Sequence, residues 1–273
     1  MSDLNTSKHR IEVQPFKYAV VPDFTDRQML LDINEKHISQ MSTALYVTES
    51  VPQIYMQDID PKTFVEGSVI SIPCVTDFTE TNKSHTGAKL KDIELKVEPS
   101  GQQAINRCFV DINNIDDFPK VRRLVEALVK PELTEFLMKT FEVDLRGTAL
   151  RVGLLRNGAG HFLTPHCDCI EKIISVLIFI NENGQPLDSG TDIYRANTGS
   201  SDTQSATLSR SFGDFEKVAE IPFVTGTALI FHPGENTWHG LDHLKSFTDR
   251  RLIQISWVSD EYSTHPECFP VPS

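Results

Sequence analysis

The sequence predicts an α+β protein whose C-terminal half is a jelly-roll or cupin-like barrel, with N-terminal helices packed on one of its sheets. Two observations predict it. Before residue 148 the clearest apolar pattern is helical: Val121, Leu124, Val125 and Leu128, then Leu133, Phe136 and Leu137 beyond Pro131. After Thr148 the pattern changes to short β-like runs at 149–155, 173–180, 192–194, 228–231 and 252–258, divided by Asn157-Gly158, Asn183-Gly184 and Pro233-Gly234. Helical patterns followed by many short strands suit an α+β chain with a two-sheet barrel.

In order along the chain, Tyr18–Val21 reads as a short strand, and the turn at residues 22–26 can cap a helix running to about Gln40. Met29, Leu30, Ile33 and Ile38 form its apolar stripe. Residues 62–115 read as strands and loops, with candidate strands at 69–72 and 108–110. The next helix starts after Asp116-Asp117-Phe118-Pro119, and Pro131 breaks or kinks it, because proline lacks the amide hydrogen and clashes with the preceding turn. The chain divides into a helical and irregular part, 1–147, a barrel core, 148–260, and a tail, 261–273, all within one domain. The irregular stretch 42–115 is a candidate lid or wall over the barrel mouth.

A net charge of -12 with no cluster of Lys and Arg argues against a nucleic-acid or anionic-membrane surface. No apolar run is long enough to span a bilayer, and the polar start lacks the apolar segment of a secretory signal. Five cysteines, an odd number without a C-x-x-C pair, indicate neither a disulfide framework nor a zinc knuckle. The expected setting is the reducing cytoplasm.

His166-Cys167-Asp168 carries the chemistry. Residues at i and i+2 of an extended segment point to the same face, so one metal can take both ligands while Cys167 and Cys169 turn away. A third ligand from a distant strand, His239, completes a set of two imidazoles and one carboxylate, the facial triad of non-haem Fe(II). A lone H-x-D recurs by chance. Its context separates this one: an apolar strand ending Phe179-Ile180-Asn181 follows Asp168, and Trp238-His239-Gly240 precedes a strand that begins with Arg250-Arg251.

Residues 164–181 (TPHCDCIEKIISVLIFIN), 190–194 and 226–258 together resemble the catalytic core of the Fe(II)/2-oxoglutarate-dependent dioxygenases, with the prolyl-hydroxylase-like branch closest. The resemblance covers about residues 148–260. It implies a double-stranded β-helix and the ligands His166, Asp168 and His239. The implied cofactors are Fe(II), 2-oxoglutarate and O2, with ascorbate helping to keep the iron reduced. The reaction it implies is hydroxylation, or a related desaturation, with release of succinate and CO2. Related halogenases lack the carboxylate ligand, so Asp168 favours hydroxylation.

In that family a basic residue beyond the distal histidine binds the far carboxylate of 2-oxoglutarate, a task suited to the planar, always-charged guanidinium. Adjacent Arg250 and Arg251 point to opposite faces of a strand, so only one enters the barrel. The spacing from Arg251 to Trp257 resembles the family's R-x-x-x-x-x-W. Arg251 is therefore the expected co-substrate residue, together with Trp257, and Arg250 is the alternative. Members of the branch often carry a tyrosine where Phe179 stands. Phenylalanine cannot supply that hydroxyl, and Ser175 on the same face is the candidate substitute donor. Lys172, near the strand start, is read as a surface residue, with a place facing the active-site mouth as the alternative.

Polar groups expected near the mouth, as substrate contacts, are Arg156, His161 and Asp192, with Arg151, Asn157 and Arg195 as further candidates. His232 is read as structural and His243 as a solvated loop residue. The expected partner is a small-molecule substrate, an amino acid or biosynthetic intermediate, with a protein side chain as the alternative. Two rivals come from other classes. A zinc hydrolase on the same ligands needs a carboxylate base, for which Glu235 is the nearest candidate. A non-catalytic jelly-roll binding protein would be expected to lose a ligand, and none is lost.

Overall fold

The computed structural model describes residues 8–41, 112, 115–158, 161–168, 171–182, 184–197, 212–242, 244 and 249–259, together with the backbone of several strands between 44 and 111 and one at 268–270. The strands and helices in chain order are β1 (Arg10–Glu12), β2 (Tyr18–Val21), α1 (Arg27–Lys36), β3 (Ala44–Val47), β4 (Ile54–Tyr55), β5 (Val69–Val75), β6 (Leu90–Lys96), β7 (Gln103–Asp111), α2 (Pro119–Leu128) and α3 (Pro131–Phe141). They continue as β8 (Ala149–Asn157), β9 (Leu163–His166), β10 (Lys172–Ile180), β11 (Thr191–Ala196), β12 (Phe215–Ile221), β13 (Ala228–Phe231), β14 (His239–Leu241), β15 (Arg250–Val258) and β16 (Cys268–Pro270).

Strands β8 to β15 are divided between two antiparallel sheets, and the chain changes sheet at every step except from β11 to β12. One contains the order β13-β10-β15-β8 and the other runs β12-β11-β14-β9. This is the expected jelly roll. The larger sheet extends through β2 and β1 on one side and through β7, β3 and β4 on the other, while β5 and β6 pair separately.

Strand β10 (KIISVLIFI) explains how the layers are held. Its side chains alternate between faces, and apart from Lys172 and Ser175 both sets are apolar because both faces are covered. Ile174, Val176, Ile178 and Ile180 join one core with Leu30 and Ile33 of α1, Val121 and Leu124 of α2, and Leu133 and Leu137 of α3. Leu177 and Phe179 join a second core between the sheets, with Leu155, Ile193, Ile221, Leu229, Phe231 and Leu252. We call the first face outer and the second inner. Truncating an outer-face isoleucine to alanine costs about 2–5 kcal/mol in transfer and cavity energy.

Local signals set the helices. Asp26 caps α1 by accepting from the Met29 amide at 2.9 Å. The helix ends at Lys36 and a 3-10 turn over Ile38–Gln40 continues it, so the apolar stripe to Ile38 spans two elements. Pro119 and Pro131 occupy the first positions of α2 and α3, where a missing amide hydrogen costs nothing, and the break expected at Pro131 is a clean division. The candidate strands at 69–72 and 108–110 fall within β5 and β7. Most of the candidate lid, 42–115, and of the tail, 261–273, lies outside the described residues. Among the described residues no helix is long and apolar enough to cross a membrane.

Candidate metal centre and anion site

His166 ends β9 and His239 begins β14, and the two are directly paired across the smaller sheet. Their rings lie 4.4 Å apart between centroids. Asp168 follows β9 by two residues, and one ligand atom each from His166, Asp168 and His239 lies within 4.8 Å of the others. The ligand set expected from the sequence is thus brought together on the inner side of the barrel, against Phe231, whose ring centroid is 4.7 Å from that of His239.

Neighbours orient these ligands. His239 Nδ1 lies 2.9 Å from the Thr237 carbonyl oxygen, which can only accept, so the Nδ1 proton is held there and Nε2 presents its lone pair. Burial holds the imidazole of His239 below its ordinary pKa, although Asp168 opposes this, and the neutral form is the one that ligates. Both oxygens of Asp168 are engaged: Ser175 Oγ donates to Oδ2 at 2.7 Å and Lys172 Nζ to Oδ1 at 2.8 Å. Burial pushes the Asp168 carboxyl up, but the Lys172 ammonium and the two imidazoles outweigh it and hold the group well below the usual carboxylate range. Two imidazoles and one ionised carboxylate, with one ligand atom each within 4.8 Å of the others, fit a divalent ion such as Fe(II) with coordination positions to spare.

Toward the other end of β10, the inner face carries a buried cation, and it is Arg250. Arg250 pairs with Asn157 across β15 and β8, Leu252 pairs with Phe179, and Ser256 pairs with Ser175, which places Arg250 on the face of Ser175 and Phe179. Its guanidinium carbon stands 5.5 Å from the Phe179 ring centroid. It donates to the carbonyls of Ser189 and Gly190, to Asn157 Oδ1 at 2.8 Å and to Thr191 Oγ1 at 3.2 Å. Asn157 is 1% exposed, and among the described residues its Nδ2 has no hydrogen-bond partner. A buried amide with an unused donor beside a buried guanidinium fits the carboxylate of a ligand, since leaving that donor unmet costs about 1–3 kcal/mol.

Several expected assignments are corrected by these positions. Arg251 and Trp257 do share a face, but it is the outer one, against the helices. Arg251 pairs there with Asp249 and Glu182, and Nη1 also donates to Asn34 Oδ1. Trp257 is fully buried in the outer core. Ser175 is spent on Asp168 rather than available to a co-substrate carboxylate, and Lys172 is no surface residue: its side chain is 11% exposed. Arg156, register partner of Arg251, also faces outward, to Asp249 and to the carbonyls of Ser39 and Met41. Asp192 is buried on its own partners, Tyr194, the Asp242 amide and Lys217. His161 is buried, with its backbone bonded to Gly158 and Leu244. Arg195 pairs with Glu216 at the surface. Exposed His232 holds the Ile173 carbonyl through Nδ1, and His243 lies outside the described residues. Glu235 is exposed, and its carbonyl accepts from Cys167 Sγ.

No family model matches the chain, and no curated protein sequence matches it. Solved structures are similar to it. A prolyl-4-hydroxylase from Pseudomonas putida is 12% identical, with 88% of this chain and 91% of that one covered and a TM-score of 0.44. The α-ketoglutarate-dependent epimerase SnoN of nogalamycin biosynthesis is 12% identical over 89% and 78% of the two chains, with a TM-score of 0.49. HygX from Streptomyces hygroscopicus, solved with nickel and 2-oxoglutarate bound, is 11% identical over 88% and 82%, with a TM-score of 0.46.

Proposed function

We propose that this chain is an Fe(II)- and 2-oxoglutarate-dependent oxygenase that hydroxylates a small molecule, an amino acid or biosynthetic intermediate. The observation that carries the reading is that the space between the two sheets holds the His166, Asp168 and His239 cluster toward one end of β10 and buried Arg250 toward the other. Ser175, on the metal carboxylate, and Phe179, beneath the arginine, are four residues apart on β10, about 13 Å along the strand. That interval suits a short dicarboxylate held at both ends.

Bound at this site, iron, 2-oxoglutarate and O2 together supply oxidation of a C–H bond with release of succinate and CO2. The chain's own residues bind and orient. Thr237 and Ser175 fix the lone pairs of His239 and Asp168 toward the metal position. Arg250 takes the far carboxylate of the co-substrate, and the unused Nδ2 of Asn157 supplies the donor that Phe179 cannot. The Phe179 ring shields that charge pair from water and so strengthens it.

Anaerobic addition of Fe(II) with and without 2-oxoglutarate tests the reading. A visible metal-to-ligand charge-transfer band is expected only with both present. Tight zinc binding with no such band under any condition would overturn it.

A further inference from the structure

Resting on the metal-site reading, we infer that Lys172 is a specificity-determining residue: it guards Asp168 while the metal is absent, then receives an anionic group of the prime substrate. Three features support this. The ammonium is 11% exposed and lies within the site, 2.8 Å from Asp168 Oδ1, so it is an enclosed charge and not a solvated one. The opposite oxygen, Oδ2, is already held by Ser175, which is fully buried in β10. Oδ1 is thus the oxygen left to a metal, and a divalent ion outcompetes an ammonium for it because the attraction scales with charge. Lys172, on a long flexible stem, is the group that yields.

The position of Lys172 decides what it binds next. Along β10 the order is Phe179 beneath Arg250, then Ser175 at the metal carboxylate, then Lys172. The triad therefore stands between the two cations, and Lys172 lies on the side away from the co-substrate arginine. Arg151 adds a second basic residue nearby: it pairs with Ser256, which pairs with Ser175, and so takes an inner-face position at the same end. An ammonium displaced beside a divalent ion is repelled by it and needs an anion in contact. The class of substrate this selects carries a carboxylate or phosphate close to the reacting carbon.

Calorimetric titration of the whole chain with Co(II), alone and with excess acetate or excess inorganic phosphate, tests the inference without 2-oxoglutarate or turnover. Lys172→Met is expected to bind Co(II) about tenfold tighter than wild type without added anion, the scale on which groups around a metal act. In wild type, one anion should raise Co(II) affinity; which one does so separates carboxylate from phosphate recognition. That response should be lost in Lys172→Met and kept in Lys172→Arg. Unchanged or weaker Co(II) binding by Lys172→Met, or an anion response that survives in it, would overturn the inference. Because no arm uses 2-oxoglutarate, failure of the oxygenase reading and failure of this one are separable.

Discussion

Arg250 and Arg251 are neighbours in the chain and serve opposite sides of the same strand: Arg250 lies over the Phe179 ring inside the barrel, and Arg251 pairs with Asp249 and Glu182 beside the helices. Each is enclosed on its own side, so removing them should have different consequences. Arg250→Ala should weaken 2-oxoglutarate binding about 10- to 100-fold, since a hydrogen bond to a charged group is worth about 1.5–3 kcal/mol. Arg251→Ala should leave that affinity within about twofold and lower stability by about 1–2 kcal/mol. Parallel 2-oxoglutarate titration and urea denaturation of the two variants check this. The reverse pattern would place the co-substrate on the helix side.

Asn157 holds Arg250 through Oδ1, and its Nδ2 meets no partner among the described residues. Asn157→Asp preserves the shape and the acceptor but replaces the donor with a second acceptor, which also repels an incoming carboxylate. We expect at least a tenfold loss of 2-oxoglutarate affinity with the fold intact by circular dichroism. Unaltered affinity would mean that the Nδ2 donor faces no ligand.

Ser175 touches Asp168, the candidate metal carboxylate, and not the arginine end. Ser175→Ala should therefore weaken Fe(II) or Co(II) binding about tenfold, as loss of a group that orients a ligand does. At saturating metal, 2-oxoglutarate affinity should be unchanged. A variant in which co-substrate affinity fell and metal affinity held would return Ser175 to the role its face first suggested.

The difference between these residues bears on what was legible in the sequence. The triad could be read because i and i+2 share a face in any extended segment, whichever face that is. Choosing the arginine required knowing which face of β15 looks inward, and the six-residue interval from Arg251 to Trp257 fixes only that the two agree. Strand β15 offers little contrast because it is covered on both sides, by helices outside and by the second sheet inside. One signal was available. The set containing Arg250 also contains Gln254 and Ser256, whereas Ile253, Ile255 and Trp257 form an unbroken apolar set fit only for a core. Lys172 was obscured by a register shift between Lys172 and Ile174, which breaks simple alternation at the start of β10. Strands β9 and β14 are three or four residues long and carry too few apolar positions to announce themselves.

Asp249 links the outer network, accepting from both Arg251 and Arg156. Burial pushes its carboxyl up, but the two guanidiniums prevail and its pKa is depressed. A depressed folded-state value contributes stability that is present above the unfolded pKa of about 3.9 and is lost as the pH falls through the folded one. Asp249→Asn should then be less stable than wild type by about 1–2 kcal/mol at neutral pH. The gap should narrow on acidification below about pH 4. Guanidinium denaturation at neutral and acid pH measures the gap, and a gap independent of pH would sink the assignment.

Gly190 joins the candidate anion site to the fold. Its carbonyl accepts from Arg250 Nε at 3.0 Å, and it sits where β11 begins beside the end of β12. A Cβ built at this position would lie 1.7 Å from the Ile221 carbonyl oxygen and 2.9 Å from its carbon. Both are backbone atoms, which cannot rotate away as a side chain would, so even alanine must force the two strands apart. Gly190→Ala is expected to cost about 3 kcal/mol or more, the upper range for overpacking. Because the displaced backbone carries an Arg250 partner, 2-oxoglutarate affinity should fall with stability. Gly147 offers the contrast: a Cβ there meets nothing within 4 Å, so Gly147→Ala bears only the strain of a positive φ of 71°. It should lower the denaturation midpoint modestly and leave 2-oxoglutarate binding intact. If Gly190→Ala kept wild-type affinity for 2-oxoglutarate, the Gly190 carbonyl would have no part in positioning Arg250.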